Sequence, residues 1–309
     1  MKMCKIFSLK AMSVRGGILL SAVLLAGLAA ALPAAAARLY EVSYTGCGGV
    51  EAPVINEAFE LRVVELVNQE RANNGNLPPL KRVATLTGAA RFHATDLGVD
   101  NYFEHDSYDR SGENLKYVCG TFERMSVWYP NWRTAAENIA AGQQTPADVV
   151  ADWMASPGHR RNILGQDFTE IGVGFFAGAG EYGTYWVQDF GARRDVYPLV
   201  INRDSPTTED RAVDIYIYGA WNEMRLRNNS GTWSDWQPFV NGFTWTLDEG
   251  SGEHTITAEM RTGSKRYTTC DKIQLASTTA APPPVDAANQ LYLPALINDP
   301  PADSSLTCE

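Results

Sequence analysis

Three short segments each hold a titratable side chain beside turn-forming residues: NYFEHD (101–106), AENIAAG (136–142) and SPGHRRNIL (156–164). Side chains at turns and element ends reach clefts more readily than side chains inside elements. Two imidazoles, His105 and His159, can bind a divalent metal such as zinc and leave positions open for water or a ligand. A carboxylate such as Glu137 can orient an imidazole or take a proton. For each residue taken alone, a purely structural role is the alternative.

No complete nucleophile–base–orienter set accompanies these residues in the sequence. Ser156 lies three residues before His159, but the Gly-x-Ser-x-Gly pattern of a nucleophile elbow does not surround it. Cys119 is expected in a disulfide rather than as a reactive thiol. His93 falls on the apolar side of a predicted helix and is expected in the interior, whereas His254 is expected to be exposed. Binding is therefore favoured over catalysis, and the chain is not expected to be an enzyme.

Hydrophobic spacing predicts the elements that carry this site. Apolar residues recur at helical spacing over 55–74 and 82–100, and Thr145-Pro146 is a typical helix start. We expect Pro157-Gly158 to end that third helix. EIGVGFF (170–176) and TYWVQDF (184–190) predict paired strands. The mixture predicts one α/β domain up to about residue 192.

The sequence pattern changes after Tyr197, where short segments of alternating apolar and polar residues are separated by turn residues. This pattern predicts a small antiparallel β-sandwich of the immunoglobulin or fibronectin kind. Trp233 and Trp236 are either a sugar-contacting pair or, as we favour, one core and one edge residue. The segment STTAAPPPVDAAN (277–289) is typical of a linker, and LYLPALI in the tail is too short to span a bilayer.

The N-terminus predicts export. A basic leader without acidic residues precedes an apolar run and PAAAA (33–37), which is the order of a signal peptide over 1–37. An uncleaved anchor is the alternative. Removing four positive charges changes the net charge from −10 to −14. Such an acidic protein is not expected to bind nucleic acid or anionic membrane surfaces.

Four cysteines follow the leader, and an even number in an exported chain favours disulfides with three possible connectivities. We predict Cys47–Cys119 and Cys270–Cys308, because each pair falls within one region of the chain. Metal binding by these cysteines is not favoured, since no Cys-x-x-Cys spacing occurs.

Five segments in order resemble the bacterial branch of the CAP superfamily of cysteine-rich secretory, antigen 5 and pathogenesis-related proteins: LVNQERANNGNLPPL, NYFEHD, AENIAAGQQTPADVVADWMASPGHRRNIL, EIGVGFF and YWVQDFG. The resemblance implies an α/β/α sandwich with an open cleft that holds His105, Glu137 and His159. Eukaryotic members of the superfamily carry a second glutamate on the helix before His159, whereas this sequence has none there, and Asp152 is the candidate substitute. Glu113, in a second Gly-Glu-Asn, lacks the family's following segment and is expected in a solvated loop.

The sequence thus predicts five regions: a signal peptide (1–37), a lead-in (38–57), a CAP domain (58–194), an immunoglobulin-like β-sandwich (197–276), and a linker with tail (277–309). The resemblance implies a secreted or cell-surface protein that binds a small or lipidic ligand, with zinc at His105 and His159. Two alternatives stay open. One is a metal-assisted or acid–base hydrolase of peptides or cell envelope that uses Glu137. The other is an adhesion module attached to the envelope through its C-terminal region.

Overall fold

A computed structural model describes residues 44–277, which pack as one unit. The predicted signal peptide, the C-terminal tail and Cys308 lie outside the described residues. No helix within 44–277 is long and apolar enough to cross a membrane.

Five α-helices, one short left-handed turn and fourteen strands occur among the described residues. The helices are α1 (Glu57–Asn73), α2 (Ala84–Val99), α3 (Thr121–Trp128), α4 (Pro146–Ala155) and α5 (Pro157–Ile163). The left-handed turn is Asn202–Asp204. The strands of the first half are β1 (Lys81–Arg82), β2 (Ser107–Ser111), β3 (Asn114–Cys119), β4 (Trp132–Ala141), β5 (Glu170–Ala177) and β6 (Thr184–Arg193). Those of the second half are β7 (Leu199–Ile201), β8 (Thr207–Thr208), β9 (Ala212–Ile217), β10 (Glu223–Asn228), β11 (Gln237–Pro238), β12 (Gly242–Thr246), β13 (Gly252–Thr262) and β14 (Lys265–Leu275).

The first half is a three-layer α/β/α sandwich around a four-stranded sheet in the order β1-β5-β6-β4. Strand β1 runs parallel to β5, and the other neighbours are antiparallel. Helix α2 packs on one face of the sheet, whereas α1, α4 and α5 cover the other. The α/β class expected from the sequence is confirmed, and the second half is β-rich as expected.

Glycines bring α2 unusually close to strand β5. A Cβ atom added at Gly172 would lie 2.1 Å from the backbone of Leu86, and one at Gly174 would lie 2.2 Å from that of Ala90. The strand itself is buried from Glu170 to Phe176. Helix and sheet therefore pack backbone against backbone here, which fixes the position of the helix that lies over Glu137.

The helix before His159 begins as expected and continues differently. The Thr145 side chain accepts a hydrogen bond from the backbone N–H of Asp148 at 3.2 Å, and Pro146 occupies the first turn. The helix ends at Ala155, but Pro157-Gly158 does not lead into a loop. Pro157 starts helix α5 instead, because proline fits the first turn of a helix. His159 is thus a helical residue.

The segment between His105 and Glu137 forms a hairpin, β2–β3, followed by helix α3. A disulfide joins Cys47 to Cys119, which confirms the first predicted pairing. It ties the chain that precedes α1 to the last residue of β3. The predicted Cys270–Cys308 bridge lies outside the described residues because Cys308 does.

The second half contains a five-stranded sheet, β11-β10-β13-β14-β8, and a three-stranded sheet, β12-β9-β7. Their apolar faces share one core, in which Ile215 and Ile217 of the small sheet meet Leu226 and Met260 of the large one. The segments predicted as strands correspond to β9, β10, β12, β13 and β14. The immunoglobulin-like assignment stays a prediction.

Neither of the two tryptophans of TWSDW takes the core position that was expected for one of them. Both are half-buried and stack on arginines of β10, with the Arg225 Cζ 4.8 Å from each ring centroid. Arg227 flanks Trp233 at 4.6 Å, and Arg261 flanks Trp236 at 3.9 Å. Neither tryptophan is a core residue, and the ring of each lies next to guanidinium groups.

His254 is buried, with 5% of its surface exposed, so the expected exposure is wrong. It lies in β13, and its Nε2 is 2.8 Å from the carbonyl oxygen of Gly250. A buried polar ring needs such a partner, and the turn before the strand supplies it.

Charged and polar bonds join the two halves. Lys81 of β1 donates to Asp204 at 2.8 Å and to Asp271 at 2.6 Å. Tyr218 donates its hydroxyl proton to the carbonyl oxygen of Pro79 at 2.9 Å. Burial works against the charge on Lys81, but its two carboxylate partners outweigh it and raise the Lys81 pKa.

Candidate functional site

Glu137 lies in the middle of strand β4. The sequence had suggested a position at a turn or at the end of an element, and that expectation is wrong. Glu137 is directly opposite Asp189 of β6 in the antiparallel ladder, so both carboxyls share one face of the sheet. Ile139, two residues further on the same face, packs in the cluster that includes Ala90 and Leu97 of α2. The carboxylate is therefore held under a helix, with 1% of its side chain exposed.

Each oxygen of the Glu137 carboxylate has its own partner. Oε1 is 2.8 Å from Nδ1 of His105, and Oε2 accepts a hydrogen bond from the Arg124 guanidinium. Burial acts to raise the pKa of Glu137, but Arg124, His93 and His105 outweigh it and hold that pKa well below its ordinary value. Glu137 is thus an ionised, fully engaged group that orients its neighbours.

The imidazole of His105 is fixed at one edge and open at the other. Because a carboxylate only accepts, Nδ1 is the atom that carries a proton toward Glu137. Its hydrogen bond to Glu137 is the main cause that raises the His105 pKa. The side chain is 52% exposed. Nε2 makes no hydrogen bond within residues 44–277, so it is the atom that remains for a ligand.

The backbone around His105 is fixed from the hairpin–helix segment. Its carbonyl oxygen accepts hydrogen bonds from the Thr121 hydroxyl at 2.9 Å and from Arg124 Nη1 at 3.0 Å. Arg124 also donates to the Ser107 hydroxyl at 3.0 Å. One buried arginine of α3 therefore binds both the main chain at His105 and the side chain at Glu137.

His159 lies beside these residues without a hydrogen bond to either of them. Its carbonyl oxygen accepts from the Asn138 side chain at 3.3 Å, and Asn162 donates to the Glu137 carbonyl oxygen at 3.3 Å. These contacts join α5 to the edge strand β4. Burial, followed by the charge of His105, lowers the pKa of His159. The imidazoles influence each other, but only His105 and Glu137 are in direct contact.

Three residues of this cluster were not found as site residues from the sequence: Arg124, Asp189 and His93. Burial and the neighbouring Glu137 charge raise the pKa of Asp189 well above its ordinary value. The next residue, Gln188, accepts a hydrogen bond from the Asn138 side chain at 3.0 Å through its side-chain oxygen.

His93 is fully buried, in agreement with the sequence. Its Nε2 lies 3.1 Å from the carbonyl oxygen of Glu104. Burial and the positive charge of Arg124 lower the pKa of His93 to about 3, so the ring is neutral. The buried cluster thus contains the ion pair Arg124–Glu137 beside the neutral ring of His93 and the buried carboxyl of Asp189.

The remaining acidic candidates lie away from this cluster. Glu113 is exposed in the turn between β2 and β3, as expected for a solvated residue. Asp152 is exposed on α4 and accepts a hydrogen bond from Gln143 at 2.9 Å. Asp152 therefore does not replace the glutamate that the family places on this helix.

Within residues 44–277, one group of three ligand-type side chains has donor atoms within 4.8 Å of one another: Cys47, Cys119 and Glu123. Both sulfurs of that group are joined in the disulfide and are not thiolate ligands. His105 has an open Nε2 and an Nδ1 held by a carboxylate, and a carboxylate on the second ring nitrogen is the usual outer-shell arrangement of histidines that bind metals.

Residues 64–190 match the model of the cysteine-rich secretory protein family, CAP, as the motif order predicted. We therefore call this part of the chain the CAP domain.

The chain is 42% identical over 139 residues to YkwD, an uncharacterized protein of Bacillus subtilis strain 168; the match covers 45% of this chain and 49% of YkwD. It is 29% identical over 144 residues to YlbC, an uncharacterized membrane protein of the same organism, covering 44% of this chain and 39% of YlbC. The chain therefore spans half or less of the curated relatives it matches.

Among solved structures, the chain is similar to an extracellular protein containing an SCP domain from Bacillus anthracis strain Ames. The sequence identity is 28% and the TM-score is 0.37, over 45% of this chain and 42% of that one.

Proposed function

We propose that this CAP domain binds a small amphipathic ligand, of fatty-acid or sterol character, with the ligand's polar group at His105. One observation carries the proposal: a buried ion pair, Arg124–Glu137, holds a half-exposed imidazole whose Nε2 has no partner among the described residues. Ordering a side chain before the ligand arrives reduces the entropy lost on binding. A ring fixed in this way is prepared to meet a ligand atom.

Exposed apolar side chains on the hairpin–helix segment that holds the His105 backbone support the lipidic part of the proposal. They are Leu115, Tyr117 and Phe122, which are 42%, 54% and 48% exposed. Phe122 follows Thr121, whose hydroxyl is bonded to the His105 carbonyl oxygen. Exposed apolar side chains next to a fixed polar group match a molecule with one polar end and an apolar body.

Zinc at His105 and His159 is part of the same proposal. His105 Nε2 and the His159 ring would be the protein ligands, and Glu137 would strengthen the first of them through Nδ1. Bound zinc would supply a positive charge for a carboxylate or hydroxyl group of the ligand.

The hydrolase alternative has less support. A general base needs an oxygen that is free to take a proton, whereas both Glu137 oxygens are engaged and its pKa is lowered. Within residues 44–277, no serine or cysteine side chain is bonded to the ring of His105 or His159. Attachment to the envelope through the C-terminal region is compatible both with ligand binding and with hydrolysis.

Export to the cell surface or medium is also proposed. It is supported by the leader-like N-terminal sequence and by a disulfide, which persists in oxidising compartments. Fractionation of expressing cells into medium, surface and cytoplasm tests it, with cytoplasmic protein as the contrary result.

Native mass spectrometry tests ligand binding on the full chain titrated with palmitate and with cholesterol. Wild-type protein should form a one-to-one complex with at least one of them. His105→Ala and Phe122→Ser should each weaken that complex at least tenfold. Val240→Ser, which changes an exposed apolar residue of the second half (48% exposed), is the matched control. Equal affinities in all four proteins, or no complex, would overturn the proposal.

Zinc is tested separately by calorimetry. We expect wild-type protein to bind one zinc ion, and His105→Ala and His159→Ala to lose it. Unchanged zinc affinity in both variants would exclude the two-histidine site.

A further inference from the structure

A groove of about 440 Å³ lies between the two halves of the protein, apart from the His105 cluster. One wall is the loop before β1, which includes Asn76, and the other is the outer face of strands β9 and β12. Grooves of this size at the junction of two structural units are common ligand sites.

An aromatic ring surrounded by polar side chains lines this groove. Along β9, Val213 and Ile215 point into the sandwich core, so Asp214 and Tyr216 point outward. Gly242 is paired with Tyr216 across the strands, and a Cβ atom there would lie 3.9 Å from the ring. Because residue 242 is glycine, no side chain covers the ring from that position.

Arg203 enters the groove from a strained backbone. Asn202, Arg203 and Asp204 have φ values of 45°, 57° and 66°, which form three successive left-handed residues. Asparagine and aspartate tolerate this region, whereas a long side chain such as arginine is disfavoured there.

The backbone role of this turn does not require an arginine. The Arg203 carbonyl oxygen accepts from the Asn68 side chain at 2.8 Å, and Asp204 accepts from the Arg82 backbone N–H at 2.8 Å. Within residues 44–277 the Arg203 guanidinium makes no hydrogen bond or ion pair. Arg203 is exposed, so its guanidinium is available to a ligand in the groove. Its left-handed backbone is the kind of local strain that is common at functional positions.

We propose that this groove binds a sugar acid. Its carboxylate pairs with the Arg203 guanidinium, its hydroxyl groups bond to Asp214 and Asn76, and the apolar face of its ring stacks on Tyr216. This site is independent of the ligand proposed at His105.

The mixed charge of the groove separates this ligand class from others. A polyphosphate or nucleic acid needs several cations, whereas the groove offers Arg203 beside the carboxylate of Asp214. A lipid would leave both charged groups without partners. A sugar acid supplies one carboxylate, several hydroxyl groups and one apolar face, which match the groups present.

Two sugars provide a matched test: N-acetylmuramic acid, which carries a lactyl carboxylate, and N-acetylglucosamine, which is the same sugar without it. Each is titrated into the isotope-labelled full chain and followed by amide chemical shifts. N-acetylmuramic acid should shift the signals of Arg203, Tyr216 and Gly242, leave that of His105 unchanged, and bind at least tenfold more tightly than N-acetylglucosamine.

Arg203→Asn keeps a residue that tolerates the left-handed backbone and removes the guanidinium. It should abolish the tenfold preference while melting no lower than wild type. Arg161→Asn, which changes an exposed arginine of α5, should retain the preference. Equal binding of the two sugars, no binding, shifts confined to the His105 signals, or an unchanged preference in Arg203→Asn would each overturn the proposal.

Discussion

Arg124 sets the state of the site at the scale of single residues. It is fully buried and is the cation that compensates the buried Glu137 carboxylate. The same guanidinium bonds to the His105 carbonyl oxygen, so the position of the imidazole depends on a residue that no ligand needs to touch. Removal of one partner from such a pair leaves an uncompensated buried charge.

Arg124→Met should therefore lower the free energy of unfolding by about 3–5 kcal/mol, measured by urea denaturation. Adding Glu137→Gln removes the uncompensated charge and should recover part of the loss. Losses that simply add in the double variant would show that the two residues are not paired.

His93 should make stability depend on pH in a defined direction. Its folded pKa of about 3 is below its ordinary value of 6.5, so the unfolded chain binds a proton that the folded protein does not. The contribution of His93 to the free energy of unfolding is fully present above pH 6.5 and is lost as the pH falls toward 3. Between pH 6.5 and 5 the loss is about 2 kcal/mol.

Comparison with His93→Gln isolates this contribution, because His105, whose raised pKa acts in the opposite direction, is present in both proteins. The urea unfolding free energy of wild type should fall more steeply below pH 6.5 than that of the variant. Parallel pH profiles would contradict a neutral buried His93.

At the scale of elements, the contact between α2 and β5 positions the buried cluster. Gly174→Ala should lower the free energy of unfolding by about 3 kcal/mol, because its methyl group would overlap the backbone at Ala90. Gly158→Ala is the matched control: its Cβ meets no atom within 4 Å, and it lies in helix α5. The control should be stabilised by up to about 1 kcal/mol. Similar thermal melting curves for both variants would contradict the backbone-to-backbone packing.

The sequence predicted the elements with strong periodicity and the residues with a recognisable motif. Helices α1 and α2 and strands β5 and β6 follow from apolar spacing, and His105 and Glu137 follow from their motifs. Arg124 could not be found, because its role depends on a hairpin and helix that bring it under Glu137 from thirteen residues away. Asp189 could not be found as a site residue, because only the strand register reveals that it is directly opposite Glu137. The contact of Trp233 and Trp236 with Arg225 could not be predicted, because it depends on how strand β10 lies against the segment that follows it.

At the scale of the whole molecule, Lys81 joins the CAP domain to the β-rich half. It is the cation between two buried carboxylates, Asp204 and Asp271. Burial raises the pKa of Asp271 to about 6 even though Lys81 acts to lower it. The two halves are therefore expected to unfold together while this lysine is present.

Lys81→Met should lower the free energy of unfolding by about 3–5 kcal/mol and split the calorimetric transition in two. Lys272→Met, which removes a surface pair with Glu253, should change stability by less than about 1 kcal/mol. Equal behaviour of the two variants would contradict the role of Lys81 at the junction.

The central claim is that Glu137 holds Nδ1 of His105 and leaves Nε2 for a ligand. Long-range proton–nitrogen NMR of the imidazoles, recorded above the pKa of His105 and assigned with His105→Ala, tests it most directly. We expect neutral His105 to carry its proton on Nδ1 and to leave Nε2 unprotonated. A neutral ring protonated on Nε2, or a rapid average of both forms, would contradict it.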